Sequence, residues 1–470
     1  MFMPTVINPN NVAIVIRRRV SRIRHGRRQA ASTSAPAAAR SQATVAGCVV
    51  ENRKTPIAAP RYCDAAPVTK TKGTDHPGSS RSFTRAAPER LSIPVTRRRL
   101  PSTYHPWMID ARAAVLLRPG TTPELNDVQI REPQGNEVLV GISAVGICHT
   151  DISTAARWPE KRLPMVFGHE GAGTVLAAGP DARIDVGSQV VLTFASCAQC
   201  AACSSDTPAY CDNATRLNMA GDRGDESSAL RLAGQPVRGG FFGQSSFATH
   251  ALANTSNVVV LPDGIDAQLA APLACSVQTG VGAVLNTLAA GPGDVVVVWG
   301  AGAVGLSAVM GARIAGCRTV IAVDPIAERR SLAIELGATG AVDSASETLP
   351  AEIMELTGGG ATLAVDTTAR GDVISTALSM LRKCGTLALV GLGALTAELP
   401  VGLILANGLR LQGVIEGDSE PHTFIPRLAG HVLRGELPID KLVRTYQFDR
   451  FADAWSDAAA GRAVKPVLVI

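Results

Sequence analysis

Aromatic residues make up only 4% of the 470 positions, and no run of 18 apolar residues occurs anywhere. The second absence excludes an ordinary membrane-spanning helix. Residues 12–16 are apolar but too few, and their arginines follow them, whereas a secretory signal places its basic residues first. Acidic residues are scarce over residues 1–107, which hold 4 Asp+Glu against 19 Lys+Arg, a net charge of +15. The remaining residues carry 26 basic and 36 acidic side chains, a net charge of −10. The two parts serve different physical tasks. The first shows no sustained period of 2 or 3.6, so disorder is the expectation for residues 1–107. The clusters Arg17-Arg18-Arg19 and Arg97-Arg98-Arg99 would suit nucleic acid, and the Arg-rich, acid-poor composition would suit a transit peptide. Charge without a folded module is weak evidence for nucleic-acid binding. The preferred reading is a dispensable upstream extension, with Met108 standing just before a natural first strand at 113–117.

What the chain does have is cysteine in a telling pattern. Four of its ten cysteines fall at Cys197, Cys200, Cys203 and Cys211. Thiolates this dense can enclose one tetrahedral zinc with no open position, a structural site. The stretch around them has few apolar residues, so the metal would supply much of its folding energy. Such spacing points to metal thiolates in a reducing cytoplasm rather than to disulfides. A second set is spread out: Cys148, His169 and Cys275. Two thiolates and one imidazole suit a zinc ion whose fourth position stays open for water or substrate. Gly146 and Gly168 allow close backbone approach to it, and Glu170 follows His169 directly. Beyond residue 107 only Cys317 and Cys384 remain, and are read as small buried hydrophobes.

Short alternating runs at 113–117, 137–144, 172–177 and 189–193, punctuated by Gly and Pro, predict a β-rich, partly barrel-like domain. The continuous apolar run 295–299 predicts a buried parallel strand. Gly300, Gly302, Val304 and Gly305 follow at once, then a helix over 306–315, a strand over 319–323 and Asp324. Strand, glycines, helix, strand and acid within one short unit predict a dinucleotide fold, with the pyrophosphate at the helix N-terminus. A carboxylate at Asp324 would accept both adenosine ribose hydroxyls and repel a 2′-phosphate, favouring NAD over NADP. Arg329, counted among the cofactor-binding residues, and Arg330 are the counter-signal; otherwise they read as solvated helix charges. Further strands at 341–343, 361–367, 386–390 and 409–415 complete a doubly wound sheet. Helices are expected at 424–434 and 448–459, and a closing strand at 467–470.

From about residue 108 onward the chain resembles the zinc-containing medium-chain alcohol dehydrogenases. The family is marked by Gly146–Asp151 (GICHTD), by Gly168-His169-Glu170 and by the four-cysteine stretch. Within it, residues 241–249 (FFGQSSFAT) and 414–419 (VIEGDS) are most similar to the aryl-alcohol (benzyl-alcohol) branch. The resemblance implies an α/β chain with a β-rich GroES-like catalytic domain (108–282), a Rossmann domain (283–416) and a return to the catalytic domain (417–470). It implies two zinc ions per chain and reversible oxidation of aromatic primary alcohols to aldehydes with NAD. The zinc would act as a Lewis acid. Aliphatic alcohol, polyol and formaldehyde–thiol-adduct dehydrogenases are the alternatives within the family. A non-catalytic binding protein is the distant one.

By the same resemblance, Thr150 takes the alcohol proton, His149 lies against the pyrophosphate, and Asp151 orients His169. Glu170 sits behind the metal and assists ligand exchange, Thr279 holds the nicotinamide, and Lys465 contacts the pyrophosphate or is a surface lysine. Ser153 stands where many relatives carry a proton-relay histidine. Trp158, Phe194 and Ile415 are candidate pocket residues or ordinary core. A homodimer or a tetramer built from dimers is implied, through pairing of the last Rossmann strand.

Overall fold

The computed structural model describes residues 108–222 and 228–470; the expectations for residues 1–107 lie outside this range. The described residues form three sheets. The third is the most regular. Its six strands run in the order Gly340–Val342, Thr319–Val323, Val295–Trp299, Ala361–Asp366, Leu381–Leu389 and Arg410–Gly413. All five pairings are parallel. The strand Val295–Trp299 is buried at every residue, because helices cover both faces of the sheet. The helix Ala303–Ile314 follows it, with Gly302 at its N-cap. This is the doubly wound arrangement, with the ligand crevice at the carboxyl ends of the strands.

The central strand of the second sheet is Glu137–Gly146, which pairs with Gly171–Ala178, His250–Asn254 and Lys465–Val469. Val443–Gln447 lies beyond Lys465–Val469, so the end of the chain is built into the sheet that begins the first metal loop. The remaining sheet runs Met165–Val166, Met108–Leu116, Glu124–Arg131, Leu230–Leu232 and Gln235–Val237. Its inner faces and those of the second sheet share one core, which contains Val115, Ile130, Leu139, Phe167, Phe247 and Phe451.

The helix Ser276–Gly282 is fully buried and packs against Ala303–Ile314. A Cβ on Gly280 would meet the Val304 carbonyl oxygen at 2.1 Å, so this contact needs glycine. Helix 276–282 thereby carries Cys275, at its N-cap, to the edge of the dinucleotide crevice. Of the two remaining cysteines, Cys317 is half-buried and Cys384 is exposed, so the expectation of two buried hydrophobes fails at Cys384. Cys384 sits with φ of 64° at an irregularity of the strand Leu381–Leu389, where its side chain leaves the sheet's inner face.

Candidate active site and metal centres

Glu137–Gly146 ends at the first metal loop. Cys148 is the N-cap of the short helix His149–Ala155, and Asp151 is its third residue. The Asp151 carboxylate reaches back to the Cys148 N–H at 3.1 Å, a reciprocal capping arrangement that fixes the helix start. Its other oxygen accepts from Gly168 N–H at 3.2 Å and faces His169 Nδ1 at 2.9 Å. Asp151 and His169 are fully buried. A carboxylate at Nδ1 makes Nδ1 the protonated nitrogen and leaves the Nε2 lone pair free. That Nε2 is buried and has no hydrogen-bonding partner. Burial alone would lower the His169 pKa, but Asp151 outweighs it and holds the ring well above the usual range in the absence of a metal.

The ligand atoms of Cys148, His169, Glu170 and Cys275 all lie within 4.8 Å of one another. The Cys148 thiol is held well below the ordinary cysteine range, chiefly by its hydrogen bond with Cys275, with His169 and Lys465 assisting against burial. An orphaned imidazole nitrogen facing two sulfurs is the donor set of a zinc site with an open position. Backbone geometry permits this approach. A Cβ on Gly146 would strike Glu170 Oε2 at 2.0 Å, and Gly168 has φ of 96°.

Glu170 lies behind this set. Both its oxygens accept from Lys465 Nζ, at 2.8 and 2.7 Å, and Oε1 also accepts from Ser276 N–H at 3.3 Å. Lys465 is 1% exposed, so it is not a surface lysine, and it is absent from the cleft lining where a pyrophosphate would lie. The assignment to the cofactor is corrected accordingly: its ammonium is committed to Glu170. Burial would discharge the ammonium, yet the adjacent Glu170 raises its pKa instead, while burial raises the Glu170 carboxyl against the pull of Lys465.

Residues 241–249, quoted above only for family likeness, have a physical task. The Gln244 amide donates to the carbonyls of His169 and Leu192, each at 3.0 Å, and accepts from Gly171 N–H at 3.2 Å. The Phe242 ring lies 4.6 Å from the His169 ring. A buried glutamine among four backbone groups and a tilted ring fix the loop that carries the imidazole. Spacing alone cannot reveal this, because 75 residues separate Gln244 from His169.

The four cysteines 197, 200, 203 and 211 also come together within 4.8 Å. Cys200 and Cys203 sulfurs are 3.5 Å apart, close to the roughly 3.8 Å edge of a tetrahedron with Zn–S bonds of about 2.3 Å. Backbone N–H groups of Cys197 and Asn213 point at Cys211 Sγ, and that of Asp212 at Cys200 Sγ. Such donors stabilise thiolates. Cys197 is lowered to about 6 by hydrogen bonds from the backbone at Gln199 first, then from Asn213 and Cys211. The set fits a closed zinc site.

A cavity of about 360 Å³ joins the two halves of the site. Cys148, His149, Thr150, Cys275 and Thr279 line it from one side, and Val304, Thr367, Val390, Ile415 and Glu416 from the other. Thr150 Oγ1 lies 3.6 Å from Cys148 Sγ. Trp158 and Phe194 are buried and do not line it; Trp158 packs edge-on against Phe167 in the core. Of the three candidate pocket residues, only Ile415 faces the cleft.

Across the cleft, Asp324 Oδ2 accepts from Ala301 N–H at 2.8 Å and Oδ1 from Ile326 N–H at 2.8 Å. Gly300, with φ of 91°, and Gly305, whose Cβ would lie 1.8 Å from the Gly300 carbonyl oxygen, close the turn. Arg329 and Arg330 are not solvated charges. Arg329 donates to the Gly461 carbonyl at 3.0 Å and lies 3.9 Å from Asp324 Oδ2, and Arg330 donates to the Asp324 carbonyl at 2.8 Å and pairs with Asp343.

Sequence reasoning missed Glu416. It is buried with φ of 51°, and its Oε2 accepts from Gln278 Nε2 at 3.1 Å and Thr279 Oγ1 at 3.4 Å. Burial, together with the negative charge of Cys148 and Glu170, pushes its pKa up to about 7.

This constellation has known relatives. The sequence matches the family description "Alcohol dehydrogenase GroES-like domain" over residues 134–263 and "Zinc-binding dehydrogenase" over residues 303–430. It is 43% identical over 366 residues to the geraniol dehydrogenase of Castellaniella defragrans, covering 77% of this chain and 98% of that protein. The crystal structure of an alcohol dehydrogenase zinc-binding domain protein from Burkholderia ambifaria superposes with a TM-score of 0.76 at 42% identity, over 77% of this chain and 99% of that one. That of benzyl alcohol dehydrogenase from Acinetobacter calcoaceticus gives a TM-score of 0.74 at 39% identity, with the same coverage. The chain belongs to the zinc-containing medium-chain alcohol dehydrogenases, with a GroES-like and a Rossmann part.

Two outcomes follow from the site. Replacing Asp151 by Asn should weaken zinc binding at the Cys148 centre about 10- to 100-fold. Competition with a chelator reads this directly, and unchanged affinity would contradict the orienting role. The second concerns Glu416. Its folded-state pKa lies above the ordinary 4.5, so the folded chain holds a proton there that the unfolded chain releases. Stability contributed by that proton is present below about pH 4.5 and lost as pH rises through about 7. The thermal midpoint of wild type relative to Glu416→Gln should therefore fall across that window; parallel curves would refute the raised carboxyl.

Proposed function

We propose that the protein oxidises apolar primary alcohols of benzylic type to aldehydes, reversibly, with NAD. In this reading Cys148, His169 and Cys275 hold a catalytic zinc, and Cys197, Cys200, Cys203 and Cys211 hold a structural one. Bound zinc supplies the Lewis acidity that makes an alcohol hydroxyl acidic near neutral pH, and bound nicotinamide accepts the hydride. The chain's own residues do the rest. Thr150, beside Cys148 at the cleft, receives the hydroxyl proton at Oγ1. His149 lines the same cleft and faces the pyrophosphate. Thr279 abuts the nicotinamide, Gly300, Gly302, Val304 and Gly305 make the phosphate turn, and Asp324 takes the adenosine ribose. NAD is favoured because Asp324 presents a buried carboxylate, with Arg329 held by the Gly461 carbonyl and by Asp324 itself and Arg330 by the Asp324 carbonyl and Asp343.

The observation that carries the substrate class is the cleft lining: Val304, Val390, Leu392, Val414 and Ile415 beside the ligand set. Such a wall disfavours polyols, which would leave hydroxyls unpaired. It is aliphatic rather than aromatic, which favours a second reading, an allylic alcohol; the relative from Castellaniella is named for geraniol. The test is NADH formation by the zinc-loaded full chain with benzyl alcohol, geraniol and ethanol at equal concentration. Preference for benzyl alcohol supports the proposal, preference for geraniol selects the second reading, and preference for ethanol overturns both.

We also infer a homodimer. The strand Arg410–Gly413 is the edge of the parallel sheet, and Leu392, Leu395, Val401 and Leu405 close to it in sequence are exposed. No single helix among the described residues is long and apolar enough to cross a membrane.

Ser153 Oγ donates to the Thr150 carbonyl at 3.4 Å, which supports a local capping role for it. Ser153→Ala should leave kcat nearly unchanged. A fall beyond about 100-fold, some 2.7 kcal/mol, would place Ser153 in the proton path.

A further inference from the structure

The wall of the cleft formed by Val414, Ile415 and Glu416 is an unusual piece of backbone. Glu416, Gly417 and Asp418 have φ of 51°, 67° and 48° in succession. Two of the three are not glycine, and the left-handed region is one that L side chains rarely adopt. A loop of this kind persists only where its surroundings over-determine it.

Most of the supports come from the chain segment after Cys275. Asn286 Nδ2 donates to the Gly417 carbonyl at 3.0 Å, Thr287 Oγ1 to Asp418 Oδ2 at 2.7 Å, and Gln278 Nε2 to Glu416 Oε2 at 3.1 Å. One support comes from elsewhere. Tyr210 lies in the four-cysteine stretch, immediately before Cys211. Its hydroxyl is 2.5 Å from Asp418 Oδ1 and 3.1 Å from the Gly413 carbonyl oxygen, and accepts from Ile415 N–H at 3.3 Å. A phenol has one proton, and the carboxylate is the stronger acceptor. Burial first, then Asp418, raises the Tyr210 pKa to about 12, so the hydroxyl is a donor at neutral pH. The tyrosine therefore spans 203 to 208 residues of sequence to grip the cleft loop at both ends and in the middle.

We propose that the four-cysteine lobe is a positioning element for the active-site cleft, acting through Tyr210 as a strut that fixes the backbone of residues 413–418. The lobe then sets where Ile415 and Glu416 stand, and the effect of losing the strut falls on binding more than on stability. This rests on the cleft being the site of alcohol and dinucleotide proposed above.

The test is Tyr210→Phe in the zinc-loaded full chain. It removes one oxygen and leaves the ring and all four cysteines. The expected result is a rise of about 5- to 20-fold in KM for the alcohol and in Kd for NADH, equivalent to roughly 1–2 kcal/mol. kcat should change less than KM, and zinc content and thermal midpoint should stay close to wild type. Kinetic and binding constants within twofold of wild type would overturn the proposal. If Tyr210→Phe loses zinc or unfolds, Asp418→Asn tests the same strut from the other end. Asparagine tolerates the left-handed backbone but cannot serve both Tyr210 and Thr287 as the carboxylate does. A matching rise in KM with zinc retained supports the strut, and unchanged constants overturn it. A double variant should be no worse than the poorer single one; additive losses would show that the two residues act independently. Because every variant is compared with an active wild type, failure of the strut is distinct from failure of the substrate assignment, in which the wild type itself would be inactive.

Discussion

The Asp151 carboxylate is the interaction on which the catalytic site depends. It accepts from the backbone N–H of Cys148 itself, from the backbone N–H of Gly168 just before His169, and from the His169 imidazole. Cys148 and His169 come from different loops, and this one side chain fixes both loops and the tautomer together. It is also wholly buried. An unpaired carboxylate there would be costly, so the three donors and the acid require one another. The remaining supports are arranged around it. Gln244 fixes the carbonyl of His169, Phe242 lies against its ring, and Lys465 neutralises Glu170.

The second organising feature is the joint between the sheets. The helix that starts at Cys275 is buried along its whole length and packs by glycine against the first helix of the dinucleotide fold. The third ligand is thus placed by the nucleotide-binding half, and the first two by the barrel. A cleft between two such halves puts the metal donors at the mouth of the crevice where the parallel strands end, which is where an open α/β sheet takes its ligand.

Much of this was legible in the sequence because the signals are local. Strands 295–299 and 319–323 match the residues observed, since continuous apolar runs bounded by glycine and aspartate have few other solutions. The ligand sets were legible because cysteine and histidine are rare and chemically distinctive. The expectations that failed depend on distant neighbours. Lys465 was placed at the cofactor because its number along the chain says nothing of Glu170, 295 residues away. Trp158 and Phe194 were left open between pocket and core, and distant packing resolves both as buried off the cleft. Gln244 and Glu416 lay in stretches marked only by family likeness, with no role attached, and Tyr210 carried no signal. Each matters through a hydrogen bond to a residue more than 70 positions away.

The ion pair between Glu170 and Lys465 also bears on how the chain is made. Glu170 belongs to the first half of the folded part, whereas its cation lies in the closing strand Lys465–Val469. A growing chain that has completed both metal-binding stretches still holds a carboxylate behind the catalytic ligands with no positive partner, and the strand Glu137–Gly146 still lacks its neighbour at Val467. Burying that charge alone would be heavily penalised. Closing the space behind Cys148, His169 and Cys275 therefore waits on the closing strand, which brings both the cation for Glu170 and the neighbour for Glu137–Gly146.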